Sequence, residues 1–343
     1  MPGSEPPLLA VEALSVRFRA ESGMLTAVDQ LSFEVRRGET LAIVGESGSG
    51  KSVTSLALMR LLPPAPGCEV SGRVLFRPSG GGPPADLLAL APEGMRRVRG
   101  DRIAMVFQEP MTSLNPVFTV GDQITEAMRA HDRTASAAAL RAKAIAALDR
   151  VRIPAPDRRF DEYPHQMSGG MRQRVMIAMA LACEPDLLIA DEPTTALDVT
   201  VQAQILDLLR DLQAQSGMAI ILITHDLGVV AEMADEVAVM YAGRVVERAA
   251  GAAIFDDPQH PYTLGLLGSI PKLEEQHDRL LAIEGAVPPP FALPKGCRFN
   301  PRCVFRAEAC VQRQPELREV APNHDVSCLR APVETLVGDE VLV

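Results

Sequence analysis

The sequence predicts an α/β fold with a mainly parallel central sheet, followed by a smaller C-terminal region. Short apolar runs typical of buried strands, at 41–44, 187–190 and 219–223, alternate with helical segments. After about residue 255 the composition changes: prolines break the chain into short pieces, and four of the six cysteines lie beyond them. We therefore expect one domain over residues 1–255 and a second over 256–343, with a boundary near 250–257.

Composition and charge argue against several classes of protein. The chain has 343 residues, of which 47% are hydrophobic and 23% charged, as in an ordinary globular protein. With 34 Lys and Arg against 44 Asp and Glu, its net charge is −10, whereas binding to nucleic acid requires a basic surface. The longest apolar run, about nine residues at 175–183, is too short to span a membrane. The N-terminus lacks the basic segment of a secretory signal, so we expect a cytosolic chain that can still dock on a membrane protein.

The elements before the first apolar run are predicted strands, because apolar and polar residues alternate. The apolar positions are Leu14, Val16 and Phe18 in one strand and Leu31, Phe33 and Val35 in the next. Further along, the Pro- and Gly-rich stretch 78–84 predicts an exposed loop. Residues 114–159 are predicted to be helical, most clearly in the Ala-rich stretch 135–148.

A phosphate-binding loop follows the strand at 41–44. Residues 45–52 read GESGSGKS and match G-x-x-x-x-G-K-[ST], in which glycines let backbone N–H groups curl around phosphates. Lys51 would reach the β- and γ-phosphates, and the Ser52 hydroxyl would bind Mg²⁺. A chance Gly/Ser turn is the alternative, and the preceding strand argues against it. The residues assigned to nucleotide binding are Gly45, Ser47, Gly48, Gly50, Lys51 and Ser52.

The buried strand at 187–190 ends in two carboxylates. Asp191 could hold Mg²⁺ through water, and Glu192 could polarise the attacking water as a general base. Adjacent acids can also form a solvated turn or a helix N-cap. The phosphate loop elsewhere in the chain favours the catalytic interpretation.

Residues 163–174, YPHQMSGGMRQR, resemble the signature motif of ABC-transporter ATPases. Ser168, Gly169 and Gly170 open a predicted helix, whose N–H groups and dipole form a second anion site, unless this is an ordinary Gly-capped helix start. In that family the motif covers the γ-phosphate bound by a partner subunit in a head-to-tail dimer. The resemblance covers essentially the whole chain. It implies an ABC-type P-loop ATPase domain with a RecA-like α/β core, an antiparallel β subdomain and a helical signature subdomain at about 114–180.

The resemblance implies further roles in the nucleotide site. Gln108, after the predicted strand 103–107, resembles the Q-loop glutamine, which senses Mg²⁺ and the transmembrane partner. Asp198 resembles the D-loop aspartate, which communicates across the dimer. His225, after the strand 220–223, resembles the switch histidine, which would hold the γ-phosphate and orient the water with Glu192. The expected catalytic residues are Lys51, Gln108, Glu192 and His225, and the expected Mg²⁺ ligands are Ser52, Gln108 and Asp191.

Phe18 is the candidate aromatic residue for stacking on adenine. Bases favour aromatic platforms, and few aromatic residues lie nearby in the sequence. Its alternation with Leu14 and Val16 explains it equally well as a core residue, so both interpretations stay open.

The resemblance is closest to the ATP-binding subunits of bacterial dipeptide/oligopeptide importers. It rests on residues 101–116, on HPYT at 260–263 and on GCRFNPRC at 296–303, a tail that generic ABC ATPases lack. Related importers of nickel or glutathione share much of this tail, so those substrates remain alternatives. The resemblance implies an identical or paralogous ATPase partner, two transmembrane permease subunits and a periplasmic peptide-binding protein. It also implies peripheral attachment to the cytoplasmic face of the inner membrane.

Two other functions compete with transport. A soluble ABC ATPase of translation or DNA repair would carry two ATPase modules or a long coiled-coil insertion, and this acidic chain has neither. A non-hydrolysing scaffold subunit would have lost catalytic positions, whereas those identified here are intact. We therefore expect an ATPase that powers transport.

The late cysteines Cys297, Cys303, Cys310 and Cys328 follow the spacing C-x5-C-x6-C-x17-C. Four thiolates suit zinc or an iron–sulfur cluster. The tight C-x₂-C pairs of zinc knuckles are missing, and wider intervals favour a [4Fe–4S] cluster, which the resemblance also implies. Zinc and unliganded cysteines remain alternatives, and Val304 stands where relatives often have proline. Cys68 and Cys183 lack this spacing and are expected to be ordinary thiols.

Overall fold

The computed structural model describes residues 6–21, 23–79, 82–107, 113–195, 197–269 and 283–333. In chain order its strands are β1 (Leu9–Ala20), β2 (Gly23–Val35), β3 (Thr40–Val44), β4 (Cys68–Phe76), β5 (Ala85–Asp86), β6 (Ile103–Val106), β7 (Leu187–Asp191), β8 (Ala219–Thr224), β9 (Glu236–Tyr241), β10 (Arg244–Ala250), β11 (Arg318–Ala321) and β12 (His324–Val326). Its helices are α1 (Lys51–Leu58), α2 (Pro92–Val98), α3 (Val120–His131), α4 (Ala137–Arg150), α5 (Pro156–Phe160), α6 (Gly169–Ala180), α7 (Val199–Ser216), α8 (Leu227–Met233), α9 (Gly251–Asp256), α10 (Pro261–Gly268) and α11 (Glu308–Gln312).

The chain divides into two compact units. Unit 1 comprises Met1–Leu8, Val35–Glu39 and Phe76–Leu222. Unit 2 comprises Leu9–Glu34, Thr40–Leu75 and Ile223–Val343. The domain boundary expected near 250–257 stays a prediction.

Unit 1 combines parallel strands with a group of helices. β6 and β7 pair in parallel, with Ile103 opposite Leu187 and Val106 opposite Ala190, and β7 lies between β6 and β8. The expected helical stretch contains α3, α4 and α5, and α6 follows them. Ser136 begins α4 by accepting a hydrogen bond from the N–H of Ala139 (3.2 Å), which agrees with the helix predicted at 135–148.

Unit 2 has one sheet that runs β11–β12–β10–β9–β3 and another that runs β2–β1–β4. β3 pairs in parallel with β9, whereas the β9–β10, β10–β12 and β11–β12 pairs are antiparallel. Every residue of β3 is buried, as the apolar run at 41–44 predicts. The mixed strand directions show that the expected parallel core describes only part of this sheet.

The C-terminal region shares a hydrophobic core with the strands of unit 2. Tyr241 of β9, Tyr262 of α10 and Phe299 are buried together, and their ring centroids lie 4.7 to 5.5 Å apart. Tilted and edge-on ring pairs of this kind stabilise a core beyond the area that they bury. The tail therefore contributes to the same core as the strand that pairs with β3.

A buried carboxylate joins β10 to the C-terminal region. Glu247 is fully buried and accepts hydrogen bonds from the N–H groups of Gln259 (2.5 Å) and His260 (2.9 Å). Its Oε1 also lies 2.7 Å from Nε2 of His324 on β12, and this contact raises the pKa of the histidine. A buried charge requires such partners, because an unpaired carboxylate in the core is strongly destabilising.

Candidate functional site

The phosphate loop connects β3 to α1, as the sequence motif predicts. Gly45 has φ 148°, and a Cβ atom there would lie 2.2 Å from the carbonyl oxygen of Met240. Gly50 has φ 103°, and its Cβ would lie 2.7 Å from the carbonyl oxygen of Ala27. Both positions therefore require glycine, because the loop runs against other backbone in a conformation that side chains disfavour.

Lys51 is buried within the curl of this loop and is 6% exposed. Its Nζ donates hydrogen bonds to the carbonyls of Gly45 (2.7 Å) and Glu46 (3.1 Å). Ser52, Ser47 and Gly48 are exposed on the same short segment. The arrangement places an ammonium group and the start of α1 beside exposed loop backbone, which suits a polyphosphate.

Two contacts from the C-terminal region reach Glu46 in the loop. The N–H of Glu46 donates to the hydroxyl of Tyr262 (2.8 Å), and its carboxylate accepts two hydrogen bonds from Arg302 (2.6 and 3.0 Å). The paired carboxylate raises the pKa of Arg302. These roles were not predicted from the sequence, although Tyr262 and Arg302 lie in the two C-terminal motifs that carried the family resemblance.

The two carboxylates expected to act in hydrolysis lie at the end of β7, where Asp191 is the last residue of the strand and Glu192 follows it. Asp191 is 5% exposed at the end of the buried strand. Glu192 has a left-handed backbone with φ 49°, and its Oε2 accepts a hydrogen bond from the Thr195 hydroxyl (2.8 Å). A non-glycine residue in this conformation is uncommon, and such residues concentrate at functional sites. The side chain of Glu192 is thus held by its own loop.

A further contact supports that loop from the signature helix. The side-chain amide of Gln173 on α6 donates a hydrogen bond to the carbonyl oxygen of Pro193, and Gln173 is 1% exposed. Gln173 lies within the motif 163–174, but it was not among the site residues predicted from the sequence. A polar residue at a buried helix position is the signal that could have identified it.

The signature segment has the helix start that was predicted. Ser168 caps α6 by accepting a hydrogen bond from the N–H of Met171 (3.3 Å), and both Ser168 and Gly169 are exposed. A Cβ atom at Gly170 would lie 2.8 Å from Cγ1 of Val201 on α7. Asp198 caps α7 by accepting from the N–H of Val201 (2.9 Å). Unit 1 therefore brings Gly170 of the signature motif next to the helix that follows the expected D-loop.

His225 lies directly after β8 and is exposed. The next residue, Asp226, caps α8 by accepting from the N–H groups of Gly228 (2.9 Å) and Val229 (3.3 Å). Its own N–H donates to the hydroxyl of Thr224 (3.0 Å), which fixes the short connection that presents His225. His225 belongs to unit 2 with the phosphate loop, whereas Asp191 and Glu192 belong to unit 1.

Phe18 and Gln108 are the two remaining candidates for the nucleotide site. Phe18 lies at the end of an alternating face of β1 and is partly exposed, whereas Leu14 and Val16 on that face are fully buried. Partial exposure is compatible with both interpretations, so stacking of Phe18 on adenine stays a prediction. Gln108 lies outside the described residues.

The four late cysteines line one pocket in unit 2, with Phe299 and His260 also in its wall. Burial raises the pKa of Cys297 and Cys303 to about 11, and the neighbouring thiols add to this effect. Among the described residues, no group of three or more His, Cys, Asp or Glu side chains is arranged to hold a metal ion.

The imidazole of His260, in the same wall, already has hydrogen-bond partners. Its Nδ1 accepts a hydrogen bond from the N–H of Tyr262 (3.0 Å), and the carbonyl of Ser327 interacts with the same ring. Burial lowers the pKa of His260 to about 4, so the ring is neutral at pH 7.

Comparison with known families matches two parts of the chain. Residues 28–195 match the ABC transporter family, and residues 246–310 match the C-terminal region of oligopeptide/dipeptide transporters. The first match contains the phosphate loop, the carboxylate strand and the signature motif. The second contains the segment with Tyr262 and Arg302.

Individual relatives agree with these matches. A protein of Brucella abortus strain 2308, named for ATP binding in peptide import, is 52% identical over 333 residues, which cover 95% of this chain and 98% of that protein. An ATP-binding cassette whose dimer was solved in a post-hydrolysis state with ADP and Pi is 26% identical, covers 71% of this chain and 98% of its own, and gives a TM-score of 0.61. The cbiO1 protein of Clostridium perfringens, part of the ABC transporter complex cbiONQ, is 31% identical, covers 73% of this chain and 91% of its own, and gives a TM-score of 0.60.

These relatives confirm the ABC ATPase fold and the resemblance that the sequence motifs indicated. Among the described residues, no helix is both long enough and apolar enough to cross a bilayer. The chain belongs to the family of ABC-transporter ATP-binding subunits, in the group that carries the oligopeptide/dipeptide transporter C-terminal region.

Proposed function

We propose that this chain hydrolyses ATP to power the import of di- and oligopeptides through a bacterial ABC transporter. ATP hydrolysis is the activity of the family to which the chain belongs. The observation that supports it in this chain is the burial of Lys51 within the phosphate loop, where Gly45 and Gly50 let the backbone curl around the ammonium group. Peptide as the substrate is supported by the match of residues 246–310 and by the relative named for peptide import.

The phosphate loop performs the binding step. Its backbone N–H groups and Lys51 would hold the β- and γ-phosphates, and Phe18 would stack on the adenine ring. Ser52 and Asp191, with Gln108, would hold Mg²⁺, since an exposed hydroxyl and a carboxylate at a strand end are oxygen ligands of the required kind. When bound, Mg²⁺ neutralises charge on the transferred phosphoryl group.

Glu192 and His225 would perform hydrolysis. Glu192 would accept a proton from the attacking water, and its carboxylate is oriented for this by the Thr195 hydroxyl. His225 would hold the γ-phosphate and help to orient the water. Positioning and charge stabilisation supply most of the catalysis in phosphoryl transfer. The hydrogen bond from Thr195 to Glu192 would contribute to that positioning. The bond from Asp226 to Thr224, on either side of His225, would do the same.

The signature motif is proposed to complete the site of a second ATPase subunit. Ser168 and Gly169 are exposed at the start of the twelve-residue helix α6, where unpaired N–H groups attract anions. Asp198 would communicate across the same head-to-tail dimer. The dimeric cassette that matches this chain supports such a pairing, with an identical or a paralogous partner.

The remaining partners follow from the transport assignment. Two permease subunits would supply the membrane passage, and a periplasmic peptide-binding protein would select the substrate. The chain would be attached peripherally at the cytoplasmic face of the inner membrane. Nickel and glutathione are the alternative substrates, and a soluble ABC ATPase without membrane partners is the alternative assembly.

We also propose that the cysteine-lined pocket carries a [4Fe–4S] cluster, with Zn²⁺ as the alternative. Four thiols from Cys297, Cys303, Cys310 and Cys328 face one space, and this donor set fits either centre. When bound, such a centre would tie together the loops of the C-terminal region.

Purification of the assembled transporter tests the proposed function. The chain should copurify with two multi-spanning membrane proteins, and its ATPase rate should rise when peptide and the binding protein are added. The same complex carrying Glu192→Gln is the control for contaminating ATPases. If nickel or glutathione raises the ATPase rate and peptide does not, that compound is the substrate. If the chain is purified without membrane partners, the transport assignment is refuted.

A further inference from the structure

The segment between Cys297 and Cys303 contacts the phosphate loop through Arg302. Nη1 of Arg302 lies 2.6 Å from Oε2 of Glu46, and Nη2 lies 3.0 Å from Oε1. The arginine side chain is 6% exposed and the glutamate 31%. Parallel hydrogen bonds of this kind fix both the position and the plane of a carboxylate.

Arg302 is itself oriented by the C-terminal region. Its Nε donates to the carbonyl of Glu284 (2.9 Å), and Nη2 donates to the carbonyls of Ile283 (3.2 Å) and Gly285 (3.3 Å). Its guanidinium carbon lies 5.7 Å from the ring centroid of Tyr241. The guanidinium is therefore pre-arranged by backbone and core, and Glu46 is the group that it holds in place.

All three polar parts of Glu46 have separate partners. Arg302 holds the carboxylate, Tyr262 accepts from the backbone N–H at 2.8 Å, and Lys51 donates to the carbonyl at 3.1 Å. The last contact is the important one, because Lys51 is the residue expected to bind phosphate. A shift of Glu46 would therefore move the carbonyl against which the ammonium group rests.

A second arginine of the same segment contacts the turn between β9 and β10, which in turn bonds to the phosphate loop. Nη1 of Arg298 donates to the carbonyl of Ala242 (2.5 Å). The next residue, Gly243, donates its N–H to the carbonyl of Ser49 in the phosphate loop (2.8 Å). The tail thus contacts the loop directly at Glu46 and is linked to Ser49 only through Ala242 and Gly243.

We propose that Arg302 is a positioning residue for ATP binding, which holds the phosphate loop in its binding conformation through Glu46. It contacts neither the reacting atoms nor, by this proposal, the nucleotide. A loop that is already ordered loses less conformational freedom when the nucleotide binds, so the contact lowers the dissociation constant for ATP. The proposal rests on the assignment of residues 45–52 to ATP, and it makes nucleotide affinity depend on the C-terminal region.

The test compares Arg302→Met, Arg302→Lys, Glu46→Gln and the double variant Glu46→Gln/Arg302→Met. Arg306→Met is the matched control, because Arg306 lies three residues after this segment and is exposed. Affinity is measured by titrating the full chain with a fluorescent ATP analogue in the presence of Mg²⁺, and kcat and KM are measured separately. Thermal unfolding is recorded for every variant.

Arg302→Met should raise both Kd and KM about tenfold, with kcat at saturating ATP changed by less than about twofold. Glu46→Gln should have a similar effect, the double variant should be no worse than either single one, and Arg302→Lys should restore part of the affinity. If Arg302→Met does not fold, Glu46→Gln alone decides the result. Unchanged affinity in a folded Glu46→Gln or Arg302→Met variant, or additive losses in the double variant, would overturn the proposal. A wild-type chain that fails to bind the analogue would instead refute the ATP assignment itself.

Discussion

The buried side-chain amide of Gln173 donates a hydrogen bond to the backbone carbonyl of Pro193. Gln173 lies on the signature helix, and Pro193 directly follows the proposed catalytic base Glu192. Both residues belong to unit 1, so the contact ties the helix that begins at Ser168 to the loop that orients Glu192.

Gln173→Leu should lower kcat about tenfold, because the unpaired carbonyl of Pro193 would shift the loop that holds Glu192. The dissociation constant for ATP should stay close to the wild-type value, since the phosphate loop is unaltered. Steady-state ATPase assays and nucleotide titration measure the two effects. Gln215→Leu, an exposed position on α7, is the matched control, and equal kcat losses in the two variants would count against this role.

Glu192→Gln should reduce ATP hydrolysis at least a hundredfold while ATP binding is retained, because the amide cannot accept the proton of the attacking water. Glu184→Gln is a close control, since Glu184 also has a left-handed backbone (φ 55°) and its side chain is 79% exposed. Phosphate release and nucleotide binding should be measured on both variants. A normal rate of ATP hydrolysis in Glu192→Gln would show that Glu192 is not the general base.

Gly45→Ala should destabilise the chain more than Gly48→Ala. Both residues have positive φ, so each substitution costs about 1–3 kcal/mol in backbone conformation. At Gly45 the new methyl group would also lie 2.2 Å from the carbonyl oxygen of Met240, whereas nothing lies within 4 Å at Gly48. Chemical denaturation gives the free energy of unfolding of each variant, and equal losses would contradict the close approach of this loop to β9.

Stability should fall below pH 6.5 partly because His260 must become protonated. Burial lowers its pKa in the folded chain from 6.5 to about 4, so its contribution is present above pH 6.5 and is lost as the pH falls through 4. Between pH 7 and 4 the wild-type chain should lose on the order of 3 kcal/mol more unfolding free energy than His260→Gln.

Urea denaturation at several pH values measures this difference. The same substitution at the exposed His165 controls for the loss of an imidazole. Parallel pH profiles for wild type and His260→Gln would show that the histidine is not held neutral.

Chain purified without oxygen should be brown and contain about four iron atoms, as expected for a [4Fe–4S] centre. Cys303→Ser should lose both the colour and most of the iron, while Cys183→Ser should keep them, because Cys183 lies outside the pocket. Visible absorbance and elemental analysis provide the measurement. A colourless wild-type chain with one zinc atom would select the alternative centre.

Local sequence patterns were sufficient for the elements that carry the nucleotide site. The buried strands β3, β7 and β8 agree with the apolar runs, and the caps at Ser168 and Ser136 agree with the predicted helix starts. These features depend on neighbouring residues in the chain, so periodicity and capping rules can find them.

The contacts that orient the site could not be found in this way. Glu46 and Arg302 are 256 positions apart, and neither residue type is unusual in a loop. The left-handed backbone of Glu192 and the hydrogen bond from Gln173 to Pro193 likewise depend on how separate elements pack. Such pairings are set by tertiary structure, and a single sequence carries no local signal for them.

The buried carboxylate of Glu247 limits how this protein can be engineered or rearranged. The three donors described for it, from Gln259, His260 and His324, all come from beyond residue 255. A chain shortened to a minimal cassette would lose all three of these partners. Transplanting the tail onto another ATPase therefore requires an acid at the position of Glu247 in the recipient, because the donors of the tail would otherwise be buried without an acceptor.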